Sequence, residues 1–185
     1  SNGFDPDPRV YQEAISLVKH GFEVTIIAWD RDKKMVKNEV YEGIKIERVH
    51  IKSCYSRGTT QVLFMILFWT AIFFKLIRRD FDVIHCHDFD TLLSGIIIGK
   101  LKKKKIIFDA HESYIDMLLK DTLATKCIKK IISFMETILL KYIDGLITVG
   151  ELLKEEYIKK GVKNVWVVGN WKLISGASIP RKRTP

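Results

Sequence analysis

Cysteine is scarce in this 185-residue chain. Cys54, Cys86 and Cys127 are odd in number, widely separated and free of any CxxC spacing, so neither a disulfide framework nor a zinc ribbon is implied. Long apolar runs are also missing. The most apolar segment, residues 62–77, extends roughly 24 Å at about 1.5 Å per residue, short of the ~30 Å hydrocarbon core of a bilayer. No basic-then-apolar leader precedes the first helical segment, so a reducing cytoplasm is the expected compartment. There is no internal repeat and no low-complexity stretch. Basic residues do not interleave with aromatic ones on any recognisable element, so no nucleic-acid partner is expected. The chain is too short for two ordinary domains, yet its 47% apolar content is enough to bury one full core.

What the chain has in excess is positive charge. The net charge is +9, with basic clusters at Arg78-Arg79, along residues 100–105 and at Arg181-Lys182-Arg183. Such clusters by themselves point to an anionic partner: a membrane surface, nucleic acid or a phosphate-bearing substrate. Lys126, Lys129 and Lys130 occupy the polar side of an amphipathic helix and read as solvated.

The pattern along the chain alternates strands with helices. Asp7 can cap a first helix that has Pro8 in its first turn and stops at Gly21. Residues 23–29 form an apolar strand, and a polar link through residues 31–34 leads to Tyr41-Glu42-Gly43 and a strand at 44–50. There Lys45, Glu47 and Arg48 interrupt Ile44, Ile46 and Val49, so this strand has one wet face and belongs near a sheet edge. Residues 62–77 form a helix that is apolar all round. It is either packed into the protein on most sides or dipped into a membrane surface, and the need of an α/β sheet for helices on both faces favours burial. Helices at 91–101 and 122–142, strands at 105–109, 146–149 and 164–168, and a helix opened by Gly150-Glu151 follow. The expected fold is α/β: a doubly wound, Rossmann-like parallel sheet with right-handed crossovers.

Two of these strands end in chemistry. Residues 81–88 run Phe81-Asp82-Val83-Ile84-His85-Cys86-His87-Asp88, and residues 105–112 run Lys105-Ile106-Ile107-Phe108-Asp109-Ala110-His111-Glu112. In each, an apolar run gives way to histidine and carboxylate, and open α/β sheets bind ligands just beyond the C-terminal ends of their strands. His85 and His87 alternate along a strand and so share a face. With His111 they would suit a metal-dependent hydrolase, but Phe89 and Asp90 break the longer HxHxDH pattern, and no metal is expected. His85 reads as a buried histidine satisfied by a backbone group. A second alternative is a non-catalytic membrane-surface module built on residues 62–77 and the lysine clusters.

Four segments together carry a resemblance. Asn2-Gly3-Phe4-Asp5-Pro6-Asp7-Pro8-Arg9-Val10, the strand Asp82-Val83-Ile84-His85-Cys86-His87-Asp88, the strand end Asp109-Ala110-His111-Glu112 and the turn Leu146-Ile147-Thr148-Val149-Gly150-Glu151 stand in a telling order and spacing. From Ser1 to about Asn170 the chain resembles the N-terminal domain of family 4 (group 1) glycosyltransferases. The resemblance implies one half of a GT-B enzyme: residues 1–170 as the acceptor-side domain, 171–185 as linker or tail, and the donor-binding domain absent. It implies retaining transfer of a hexose-type sugar from a nucleotide-sugar donor to a glycan, lipid-linked or small-molecule acceptor, as in cell-envelope polysaccharide synthesis, without a cofactor. The enzyme would be cytoplasmic and in peripheral contact with an anionic membrane, and this chain alone would be inactive. Gly3 would let backbone amides approach the donor diphosphate, with Arg9 as a nearby cation. His111 would lie near the transferred sugar as the catalytic, positioning residue, with His87, Asp88 and Glu112 on the acceptor side. Glu39 and Glu47 have the separation of the family's donor-domain glutamates, but they fall on a loop and a wet strand and read as coincidence.

Overall fold

The computed structural model describes residues 3–5, 7–53, 58–110 and 123–169. The first helix, α1 (Pro8–Lys19), begins as its sequence dictates: the Arg9 amide donates to Asp7 Oδ1 at 3.2 Å, and Pro8 occupies a position whose N–H would have no partner. It ends at Gly21, whose φ of +87° is one that L side chains rarely adopt.

Among the described residues seven strands form two sheets. β1 (Thr25–Trp29) pairs in parallel with β3 (Ile44–Val49), which pairs antiparallel with β2 (Asn38–Tyr41), so the order is β1-β3-β2. β4 (Val83–His87), β5 (Lys105–Ala110), β6 (Gly145–Thr148) and β7 (Val165–Val167) form an all-parallel sheet in that order. Its connections are α3 (Phe89–Lys102), α4 (Leu123–Leu139, continued by a 3₁₀ turn at Leu140–Tyr142) and α5 (Glu151–Lys159). The expected α/β parallel architecture is therefore present in the four-stranded sheet.

β2 was not expected. It returns along β3 through a two-residue turn in which Glu42 (φ +48°) and Gly43 (φ +83°) are both left-handed, the hairpin geometry that matches strand twist. β2 takes the edge, so β3 is the central strand of its sheet and not an edge strand. Arg48 is correspondingly only 4% exposed, where the alternation had placed it on a wet face. Among the described residues β1 pairs only with β3, and β4 only with β5.

Alternation along β1 sorts the helices onto opposite faces. Ile26 and Ala28 pack with Phe4, Ala14, Ile44 and Ile46 under α1, whereas Ile27 and Trp29 pack with Val49 and Ile98 under α2 (Gly58–Ile77). Trp29 stacks on Phe68 of α2 with ring centroids 4.7 Å apart, and its indole N–H donates to the Ile51 carbonyl at 2.8 Å. Ile84 of β4 joins the same cluster, so apolar packing under α2 links the two sheets. α3 lies flush on β4 and β5. A Cβ on Gly95 would come within 2.0 Å of Cys86 Sγ, and one on Gly99 within 2.5 Å of Ile106 Cγ1. Cys86 is free and buried, and burial pushes its thiol up to about 12.

α2 departs from the expectation of burial on most sides. Phe68 and Ile72 face the core, but Leu63, Ile66, Leu67 and Phe74 are exposed. Segments 81–88 and 105–110 lie where the sequence pattern puts them, and His111, Glu112, Asn170 and the tail fall outside the described residues.

Candidate functional site

The strands' C-terminal ends gather the polar groups. Cys86 faces α3, so its neighbours in β4, His85 and His87, project together from the opposite face, and their rings stack 4.4 Å apart at 26°. His87 Nδ1 lies 3.1 Å from Asp109 Oδ2, directly across the β4–β5 register, and His87 Nε2 lies 3.8 Å from Glu13 Oε2 of α1. Asp109 is wholly buried. Burial, and then the charge of Asp109, push the Glu13 carboxyl up to about 7, against the pull of His87 and Arg9.

One ligand atom from each of Glu13, His85, His87 and Asp109 falls within 4.8 Å of the others, a donor set that could hold a divalent cation. His85, which the sequence reads as a buried histidine, is half-buried and stands in this side-chain cluster. Asp109 belongs to the strand-end motif without a site role assigned to it, and Glu13 belongs to no motif. Nothing local marks Glu13, a glutamate on an amphipathic helix whose partner lies far along the chain. Arg9, one helical turn before Glu13, is close enough for its charge to act on that carboxyl.

Asp88 directly follows His87 with φ +63° and ψ 161°, a strained conformation for a residue with a Cβ. Its amide donates to the Asp109 carbonyl at 3.1 Å, and the Thr91 hydroxyl reaches the His87 carbonyl at 2.6 Å. The strand-to-helix turn is therefore held from both sides. Gly3 sits at the end of β1, where an added Cβ would lie 3.6 Å from Asp30 Cα and 3.2 Å from Met35 Sδ. Arg48 fixes that segment: its guanidinium donates to the Gly3 carbonyl at 2.7 Å and the Phe4 carbonyl at 3.1 Å, and pairs with Glu39 at 2.5 Å. Burial pushes the Asp30 carboxyl up, but amides of Met35, Lys34 and Lys33 outweigh it and hold the group below the usual carboxylate range. Glu39 and Glu47 are structural, the latter gripped by Lys75 and Arg79. The structure thus brings His87, Asp88 and, through Glu13, Arg9 to one place, with Gly3 at the end of β1. His111 and Glu112 follow β5 in sequence and lie outside the described residues.

No curated protein sequence matches the chain. Among solved structures, sucrose-phosphate synthase from Thermosynechococcus elongatus superposes with a TM-score of 0.61 at 15% identity, covering 86% of this chain and 41% of that one. That likeness establishes the fold, and the chain spans less than half the length of the structure it matches. The sequence profile of Glycosyltransferase Family 4 matches residues 9–171, nearly the whole chain, and the chain belongs to that family as an N-terminal-type GT-B domain.

Proposed function

We propose that this chain is the acceptor-side half of a retaining glycosyltransferase that moves a sugar, of hexose type, from a nucleotide-sugar donor to a glycan or lipid-linked acceptor. The observation that carries the reading is the polar cluster at the ends of β4 and β5 in a Glycosyltransferase Family 4 domain. When a nucleoside diphosphate leaves, negative charge grows on phosphate while positive charge grows on the sugar ring, so the chemistry needs oriented amides and cations more than a nucleophile. In this reading the Gly3 segment, its carbonyls held by Arg48, turns its amides toward the diphosphate, and Arg9 adds positive charge. His111 hydrogen-bonds and orients the transferred sugar. His87, Asp88 and Glu112 hold the acceptor, with His87 fixed in turn by Asp109.

The donor-binding residues belong to a second domain in this account, and residues 171–185 serve as linker or tail. The enzyme works in the cytoplasm, where it meets cell-envelope acceptors at an anionic membrane. The test is release of nucleoside diphosphate from a panel of nucleotide sugars with candidate acceptors. The chain joined to a family donor domain is expected to turn over, and the 185-residue chain alone to stay at background. Turnover by the isolated chain would overturn the two-domain reading.

A further inference from the structure

The outer side of α2 carries apolar side chains where a surface helix ordinarily carries polar ones. Leu63, Ile66, Leu67 and Phe74 recur at helical spacing and are all exposed, Leu63 to 58% and Phe74 to 59%, with Thr70 between them donating its hydroxyl to the Ile66 carbonyl at 2.8 Å. The patch does not stop at α2. A shallow groove of about 300 Å³ between α2 and α3 is walled by Ile66, Phe73, Phe74 and Ile97, and further along α3 Leu101 is 61% exposed. Contiguous apolar surface of this kind on a folded chain marks a contact with something else.

The charges around the patch identify what that is. One turn beyond Phe74 on the same stripe stands Arg78, and Lys100 and Lys103 flank Leu101. All three are exposed; Lys100 is near enough to Asp144 for its charge to act on that carboxyl, which Lys105 already holds at 2.8 Å. Lys102 ties the two helix ends together by donating to the Ile77 carbonyl at 3.1 Å. The nearby acidic groups are already engaged, Asp80 by Lys104 at 2.9 Å and Glu47 by Lys75 and Arg79. An apolar stripe bordered at one end by an excess of positive charge is the pattern that lies in a headgroup layer. No helix among the described residues is long and apolar enough to cross a membrane, and α2 is committed to the core through Phe68 and Ile72. Contact is therefore lateral. α2 and the His85–His87 cluster sit on opposite faces of the sheets, so docking leaves the polar site uncovered.

We infer that the α2–α3 face docks on an anionic bilayer, with Leu63, Ile66, Leu67 and Phe74 among the headgroups and Arg78, Lys100 and Lys103 against lipid phosphates. This deepens the membrane part of the reading above, and its test uses no nucleotide sugar, so its failure leaves sugar transfer untouched. The full 185-residue chain is sedimented with vesicles of phosphatidylcholine alone or mixed with phosphatidylglycerol. Binding is expected to the anionic vesicles only, fading as salt rises toward about 0.5 M and screens the charges. Leu67→Ser with Phe74→Ser should weaken binding at least about tenfold. R78Q with K100Q and K103Q should cost about 10² in affinity, the worth of three surface charges. Both variants should melt with wild-type cooperativity, because the altered side chains are exposed. The inference is overturned if the folded wild type stays in the supernatant with both vesicle types at low salt, or if both variants bind as the wild type does. It is equally overturned if light scattering shows a dimer that the apolar variant dissolves while vesicles go unbound, which would assign the face to a second copy of the chain.

Discussion

On one face of β4, titratable side chains are drawn out of water: Asp109 wholly, with His85, His87 and Glu13 largely so. On the other, α2 turns leucine, isoleucine and phenylalanine toward it. Each arrangement opposes the ordinary sorting of polar from apolar groups. Burying charge costs several kcal/mol per ion before partners offset it, and an exposed apolar side chain forgoes about 25 cal/mol per Å² of burial. Neither feature helps the chain fold. The two features lie on opposite faces of the sheets, polar groups at the strand ends and an apolar stripe along a helix, so each proposed role can be tested without disturbing the other.

The sharpest division runs through α2 itself, whose two sides share composition but not surroundings. Phe68→Ala removes a ring stacked on Trp29 in a cluster that joins the two sheets, and should cost about 3–5 kcal/mol in denaturant unfolding. Phe74→Ala, six residues on, should change stability by no more than about 0.5 kcal/mol. Equal losses at the two positions would mean that the outer stripe is covered in solution, and the comparison between the faces would fail.

That division explains why α2 misled the sequence reading. Nearly every position in 62–77 is apolar, so no periodicity separated the side that meets Trp29 from the side that meets solvent. β4, β5 and β6 were legible because buried parallel strands read as short continuous apolar runs, and the start of α1 because Asp7 and Pro8 are local signals. β2 was not legible: all four of its residues are exposed, so nothing in its pattern reports the pairing that the Glu42-Gly43 turn imposes. At the site, His87 and Asp88 could be picked out by their place at a strand end. Asp109 stands at a strand end as well, but its pairing with His87 is not readable there, and Glu13 and Arg48 carry no local mark, since each acquires its role from a partner brought close only by folding.

The next effect in size concerns the proposed sugar-transfer chemistry. In a protein carrying both domains, His111→Ala is expected to lower turnover about 10²-fold, equivalent to about 3 kcal/mol, with little change in melting temperature, as for one positioned polar group in a closed site. His87→Ala should raise the acceptor KM more than it lowers kcat, because the proposed role of His87 is to hold the acceptor. The measurement is steady-state kinetics over acceptor concentration, with a melt on each variant. A large fall in melting temperature with unchanged kinetics would make the histidine concerned a packing residue and remove it from the proposed chemistry.

The smallest effect is the most diagnostic of why the cluster is buried. The Glu13 carboxyl, ordinarily near 4.5, is pushed up to about 7 by burial and by Asp109, so between those values the folded chain holds a proton that the unfolded chain has released. The stability linked to that proton is fully present below about 4.5 and is lost as pH rises through about 7. Glu13→Gln keeps the shape and removes the titration. The wild type is therefore expected to melt at progressively lower temperature from about pH 5 to pH 8, while the variant shows a flatter profile and overtakes the wild type at the alkaline end. A chelator belongs in every sample, because a divalent ion held by the same four side chains would compete with the proton and mimic the flattening. Parallel profiles for the two proteins would show that Glu13 titrates as an ordinary surface carboxylate, and the contrast between a charged, dry face and an apolar, wet one would reduce to the apolar face alone.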